Sequence, residues 1–259
     1  MGLYVVGVTI FLLAPLVFPM IISFSSGSRI EFPPPGFSLQ WYKAAWANEL
    51  FLAGAVTSLI IAAITTAISI VAGTAAAIAI NHYRFAGRSL VQVVLMLPLA
   101  LPAIVKGLGV LFVLPSYHMS QGMAATVLSH CTMCIPYVAY LVLASLASYD
   151  ITLEQASANL GASRSRTFFR ITLPLIKPGI VAGGVFAFLM SFDNISLSLF
   201  TSNGDTLPLR LMQHIQHQED PAVAAVSSVL VLVALVVMVM FGRVLRESQL
   251  GALKTSSPE

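Results

Sequence analysis

The chain of 259 residues is 58% hydrophobic and only 9% charged, with a mean hydropathy of +0.90, whereas soluble domains carry about 25% charged residues. A water-soluble domain is excluded, and so is a single membrane anchor, because uncharged apolar runs recur along the whole length and leave no soluble domain to hold. The net charge of +3 and pI near 9.0 do not indicate nucleic acid, since the basic residues sit in short connections between apolar runs, where they report topology.

The first run, about 2–24, outlasts a signal-peptide core, has no basic residue before it and leads into Ser25-Ser26-Gly27-Ser28 without a small-x-small cleavage site, so it predicts a retained helix. Trp41, Tyr42 and Trp46 then stand where an interfacial aromatic belt belongs. The second run, about 51–80, has no ionisable residue and exceeds the roughly 30 Å hydrocarbon thickness, so it must tilt or protrude. The third, about 90–114, carries Pro98, Pro102 and one charge, Lys106; the fourth, about 121–147, contains Pro136, tolerated where neighbouring helices satisfy the freed carbonyl. The fifth, about 179–200, and the sixth, about 222–242, complete a single all-α transmembrane domain over 1–259. Gly54, Ser58, Gly73, Ala77, Gly183 and Gly184 suit close helix packing. Cys131 and Cys134 share one helix face and read as packing residues, and His214 with His217 belong to a polar outer loop rather than a metal site.

Six spans put both termini on one side. Arg84, Arg88, Arg164, Arg166, Arg170, Lys177, Arg243, Arg246 and Lys254 fall on that side, against Arg29, Lys43 and Arg210 on the other. Both termini are therefore expected in the cytoplasm.

The longest cytoplasmic connection, about 148–178, is too polar for lipid and too regular for a linker. Thr152 as N-cap and Gln155 as its capping-box partner open a short helix that Gly161 ends or kinks. A second helical piece, about 163–172, presents Phe168, Phe169 and Ile171 beside Arg164, Arg166 and Arg170, before Pro174 and Pro178 redirect the chain. An amphipathic piece resting on anionic lipid and a docking surface for a cytoplasmic partner are the two readings of this knob.

Here Glu154-Gln155-Ala156-Ser157-Ala158-Asn159-Leu160-Gly161-Ala162-Ser163, continuing to Ile171-Thr172-Leu173-Pro174, resembles the EAA loop of permease subunits from ABC-type importers. That loop reads Glu-Ala-Ala, three residues, Gly, nine residues, Ile, one residue, Leu-Pro. Counted back from Gly161, its glutamate falls on Gln155, its alanines on Ala156 and Ser157, and Ile171, Leu173 and Pro174 fit without a gap. Glu154 lies one residue early, about 100° around a helix. The stretches Ser191-Phe192-Asp193-Asn194, Thr206-Leu207-Pro208-Leu209 and Phe32 to Tyr42 are similar to the spermidine/putrescine-type branch.

The resemblance implies a type I importer permease fold with a cytoplasmic coupling helix. It also implies a division of labour: two permease subunits, here a heterodimer of related chains, form the pathway; an ATPase dimer below binds ATP and Mg; a periplasmic solute-binding protein delivers the solute. The chain itself has no phosphate-binding loop and is expected to be no enzyme, to hold no cofactor or metal and to bind no nucleic acid. The implied coupling residues are Glu154, Gln155, Ala156, Ser157, Gly161, Ala162, Arg164, Ile171, Leu173 and Pro174, with Arg166 facing either the partner or lipid phosphates. The region of Trp41, Tyr42 and Trp46 would lie under the binding protein.

Polar groups at membrane depth face bundle interiors. Asp193 and Lys106 both lie roughly 22 to 24 Å into their spans at 1.5 Å per residue, and either pair as a lock between helices or leave Asp193 to attract a cationic solute; Ser191, Phe192 and Asn194 are further pathway candidates. Polyamine import leads on resemblance, with opine-like compounds and phosphonates as alternative solutes. A gradient-driven transporter or channel is the alternative class, and it is disfavoured by the single intramembrane acid, with no inverted repeat and no filter-like segment in the sequence.

Overall fold

A computed structural model describes residues 2–147, 150, 152–236 and 239. The helices are α1 (Gly2–Ile22), α2 (Gln40–Ala47), α3 (Glu49–His82), α4 (Arg88–Ala100), α5 (Ala103–Val113), α6 (Met123–Ala147), α7 (Thr152–Asn159), α8 (Arg164–Thr167), α9 (Leu173–Phe192), α10 (Ile195–Thr201), α11 (Leu207–His217) and α12 (Ala222–Val236). The chain has two compact units, Met1–Ala53 with Arg210–Glu259 and Gly54–Leu209.

The Gly54–Leu209 unit is built on α6 and α9. Met133, Cys134, Val138, Val142 and Leu146 of α6 are buried with Ile176 and Ala187 of α9 and Leu197 of α10. Glycine permits the approach: a Cβ on Gly179 would sit 2.3 Å from the Ser145 hydroxyl and 2.7 Å from the Leu141 carbonyl. Without lipid-excluded water to drive helices together, such close van der Waals packing is what holds a membrane bundle.

Two expected spans are broken in this unit. The third is not one helix over 90–114 but the pair α4 and α5, bent by 108° at Leu101 and Pro102. The Pro98 carbonyl would accept from the amide of residue 102 in a continuous helix, but proline has no amide hydrogen. The Lys106 ammonium takes that place, donating to the Pro98 carbonyl at 2.9 Å. The fifth begins at Leu173 rather than Gly179, so Pro174 and Pro178 lie inside α9 instead of redirecting the chain. Pro174 is the second residue of α9, directly after the π-turn. The same span then breaks at Asp193 and Asn194: the Asn194 side chain accepts from the Leu197 amide at 2.8 Å and opens α10 as its N-cap. The two second halves pack together, Gly107 of α5 lying against Phe200 and the Ser196 carbonyl of α10.

In the other unit, the loop after α1 folds onto α2. The Tyr42 hydroxyl meets the Ser23 hydroxyl at 2.7 Å, the Trp41 indole donates to the Gly27 carbonyl at 3.1 Å, and Phe24 packs on Tyr42. Of the aromatic trio read as an interfacial belt, these two are engaged internally and Trp46 is left 77% exposed. The expected polar outer loop contains α11, where His214 pairs with Asp220 at 3.1 Å and packs edge-on against Phe51. Four helices among the described residues are long and apolar enough to cross a membrane, five if α4 and α5 form one span. The sixth expected span begins as α12; its end, and the cations Arg243, Arg246 and Lys254, lie outside the described residues.

Candidate coupling surface and helix breaks

The connection between α6 and α9 is shaped by its own capping groups. The Asp150 carboxylate, rather than Thr152, serves the first turn of α7, accepting from the Thr152 amide at 2.9 Å. That amide, and then the Thr152 hydroxyl, hold the Asp150 carboxyl below the usual carboxylate range, so it is charged at any physiological pH and favours the positive end of α7. Gln155 is exposed and is not a capping-box partner. At the other end Gly161 sits at φ +77°, its amide donating to the Ala158 carbonyl at 3.0 Å while the Ala162 amide donates to Ser157 at 3.1 Å. This is a Schellman termination: Gly161 ends the helix rather than kinking it. The Ser163 side chain caps α8 by accepting from the Arg166 amide. The expected second helix over 163–172 is one turn of α-helix, α8, followed by a π-turn over Phe168–Thr172.

These ends divide α7 into two faces. Glu154 and Ser157, one turn apart, point inward. The Glu154 carboxylate lies 3.0 and 3.1 Å from His82 Nε2 and accepts from the Thr172 hydroxyl, and the Ser157 hydroxyl meets that of Thr167 at 2.9 Å. Gln155, Ala156, Ala158, Asn159 and Leu160 point outward, Leu160 being 88% exposed. The early glutamate therefore does not share the exposed face with Gln155; the 100° offset turns it back into its own chain. Ala162 is half-buried, and Arg164, Arg166 and Arg170 are exposed. Ile171 and Leu173 are half-buried and Pro174 exposed. Leu173 lines an apolar groove of about 480 Å³ with Ile70 and Ile78 of α3, Tyr83 just after it, Phe168 and Ile180. Leu160 belongs with the outward face although motif spacing did not single it out; a leucine just before a helix-ending glycine is the trace it leaves in the sequence.

The membrane-depth candidates separate instead of forming one cluster. Lys106 serves the α4 carbonyl, so the lock with Asp193 is not made: the ion pairs among the described residues are His82–Glu154 and His214–Asp220. Ser191 is buried and Phe192 stacks on Phe188, their ring centres 6.0 Å apart. Asn194 is occupied as the cap of α10. Of these candidates only Asp193 is exposed. The residue missed from sequence is His130 of α6, fully buried, with Nδ1 at 2.8 Å from the Ser191 hydroxyl on α9 and Nε2 at 3.2 Å from Ser198 on α10. It ties both sides of the break to one helix, and Ser191 and Ser198 flanking Asp193-Asn194 were its only trace.

Comparison with known proteins accounts for this architecture. The family model described as "Binding-protein-dependent transport system inner membrane component" matches residues 69–247. The spermidine/putrescine transport system permease protein PotC of Escherichia coli (strain K12) is 28% identical over 252 residues, covering 96% of this chain and 95% of the relative. The putrescine transport system permease protein PotI of the same organism is 30% identical over 229 residues, covering 85% and 81%. A chain from a bacterial ABC transporter involved in the import of the acidic polysaccharide alginate shares the fold, with a TM-score of 0.69 over 95% of this chain and 94% of that one at 14% identity. With the family model spanning well over half of its residues and the type I permease fold in place, the chain belongs to the binding-protein-dependent transport system inner membrane components, as a multi-pass permease subunit of an ABC importer in a bacterial inner membrane.

Proposed function

We propose that this permease imports a small organic cation of the polyamine class, that α7 is the element on which its ATPase partner acts, and that both termini are cytoplasmic. The observation that carries the coupling role is the two-faced α7. Its inward side is bonded to the rest of the chain, and its outward side, Gln155, Ala156, Ala158, Asn159 and Leu160, is small, uncharged and ended sharply by Gly161. A helix of that kind fits a groove without burying an unpaired charge. ATP and its magnesium ion belong to the partner, and a second, related permease completes the pathway. Membership of a binding-protein-dependent family disfavours the gradient-driven alternative.

The polyamine reading is supported by the two permease relatives and by the exposed Asp193 at the helix break, a carboxylate suited to an ammonium group. The test is uptake of labelled putrescine or spermidine into proteoliposomes holding the complete importer. Transport that requires ATP and the binding protein is expected. Uptake of an opine or a phosphonate with no response to polyamines would overturn the solute assignment. Asp193→Asn is expected to lower polyamine uptake about tenfold, the worth of one charge-assisted contact, with the complex still assembled.

A further inference from the structure

The inward face of α7 makes an arrangement that motif spacing does not describe. The Glu154 carboxylate receives the Thr172 hydroxyl and faces His82 Nε2, and it is largely withdrawn from solvent, its side chain 18% exposed. A carboxylate has no hydrogen to give, so Nε2 is the protonated nitrogen. His82 is the last residue of α3 and Thr172 the last of the π-turn that runs into α9. One side chain on α7 is thus bonded to the ends of two membrane helices.

The π-turn makes this geometry possible. Thr167 and Thr172 are five residues apart, which in an α-helix places them about 140° apart at 100° per residue. The i→i+5 pattern of a π-turn brings such residues toward one side. Thr167 reaches Ser157 and Thr172 reaches Glu154, so one face of the widened turn meets one face of α7.

We infer that Glu154 is a positioning residue that clasps α7 to α3 and α9, so that displacement of α7 is delivered to both helices together. The inference rests on the proposed role of α7 as the ATPase-coupling element. Glu154 does not take the place of the glutamate that Gln155 replaces at the partner surface; it acts through His82 and Thr172. Packing alone transmits a push poorly when a helix of eight residues can tilt on an apolar bed. A charged group hydrogen-bonded to two other segments fixes tilt and rotation at once.

The experiment compares solute imported per ATP hydrolysed in the reconstituted complex of ATPase, both permeases and binding protein, alongside the yield of ATPase recovered with the tagged chain. Glu154→Gln is expected to leave ATPase recovery unchanged while solute per ATP falls roughly fivefold or more, the lower end of ordinary coupling between sites. Adding His82→Gln to it should cost less than the product of the two single losses. Thr172→Val, of similar shape but without the hydroxyl, should show the same uncoupling, and Thr172→Ser should retain wild-type stoichiometry; this pair decides the matter even where Glu154→Gln assembles badly. Unchanged stoichiometry in Glu154→Gln and Thr172→Val, or equal losses in Thr172→Val and Thr172→Ser, overturns the clasp. Loss of ATPase from Glu154→Gln with Thr172→Val unaffected places Glu154 at the partner surface and also overturns it. A wild-type chain that brings down no ATPase defeats the functional reading itself, an outcome separate from all of these.

Discussion

Gly161 shows how one residue's backbone shapes the proposed coupling surface. A Cβ there would meet nothing within 4 Å, so substitution acts through φ +77° alone. An alanine in that conformation costs about 1–2 kcal/mol, and asparagine less, because it tolerates the left-handed region. Gly161→Ala is therefore expected to weaken recovery of the ATPase with the tagged chain more than Gly161→Asn does; equal effects would argue that the partner reads the missing side chain instead. Lys106 has a different task from the one its depth suggests. Lys106→Met strands the Pro98 carbonyl at the bend and should lower stability by about 1–3 kcal/mol, visible as a lower unfolding temperature in detergent, whereas Asp193→Asn should leave that temperature in place. Pro98, Pro102 and Lys106 stand at intervals of four, so the replacement of a lost amide by an ammonium group was legible in the spacing. The Lys106–Asp193 pair was inferred from depth, which fixes distance along the helix axis but not azimuth.

At the scale of elements, the long apolar runs and the helix end at Gly161 were readable and the breaks were not. Gly161 and the positions of α3 and α6 followed from turn chemistry and hydrophobic runs, whereas the outward Gln155-Ala156 pair came from the resemblance to the EAA loop. The π-turn left no trace, since Phe168–Thr172 has ordinary helix formers and its register is set by what Glu154 and Ser157 hold across from it. The Asp193-Asn194 break was hidden because its polar residues read as pathway candidates within one apolar run rather than as the N-cap that Asn194 supplies, and the tertiary bonds from His130 that hold the two sides are long-range features. Close helix packing gives an internal comparison at this scale. Gly179→Val drives a side chain into Ser145 and Leu141, which forces α9 off α6 and should cost about 1–3 kcal/mol of stability by overpacking. A Cβ on Gly109 would meet nothing within 4 Å, so Gly109→Val should be close to neutral by the same thermal measurement. Equal shifts for the two would mean that helix propensity, rather than contact between α6 and α9, governs both.

For the molecule as a whole, orientation in the membrane is an argument from charge. Arg84, Arg88, Arg164, Arg166, Arg170 and Lys177 outnumber Arg29, Lys43 and Arg210, and retention of basic segments in the cytoplasm would place α7 inside and the loop carrying Trp46 outside. The structure supplies probes for both sides. Leu160 is 88% and Trp46 77% exposed, while the two native cysteines, Cys131 and Cys134, are buried and need not be removed. A membrane-impermeant maleimide should therefore label Trp46→Cys in intact spheroplasts and Leu160→Cys only after the cytoplasmic face is opened. The opposite pattern would reverse the membrane orientation and separate α7 from any cytoplasmic ATPase. The same label joins topology to coupling: on opened membranes the partner ATPase should shield Leu160→Cys, because the leucine lies on the outward face of α7, and should leave Trp46→Cys reactive. Full reactivity of Leu160→Cys in the assembled complex would mean that the ATPase grips the chain elsewhere, and the exposed arginines of α8 and the π-turn would be the next surface to label.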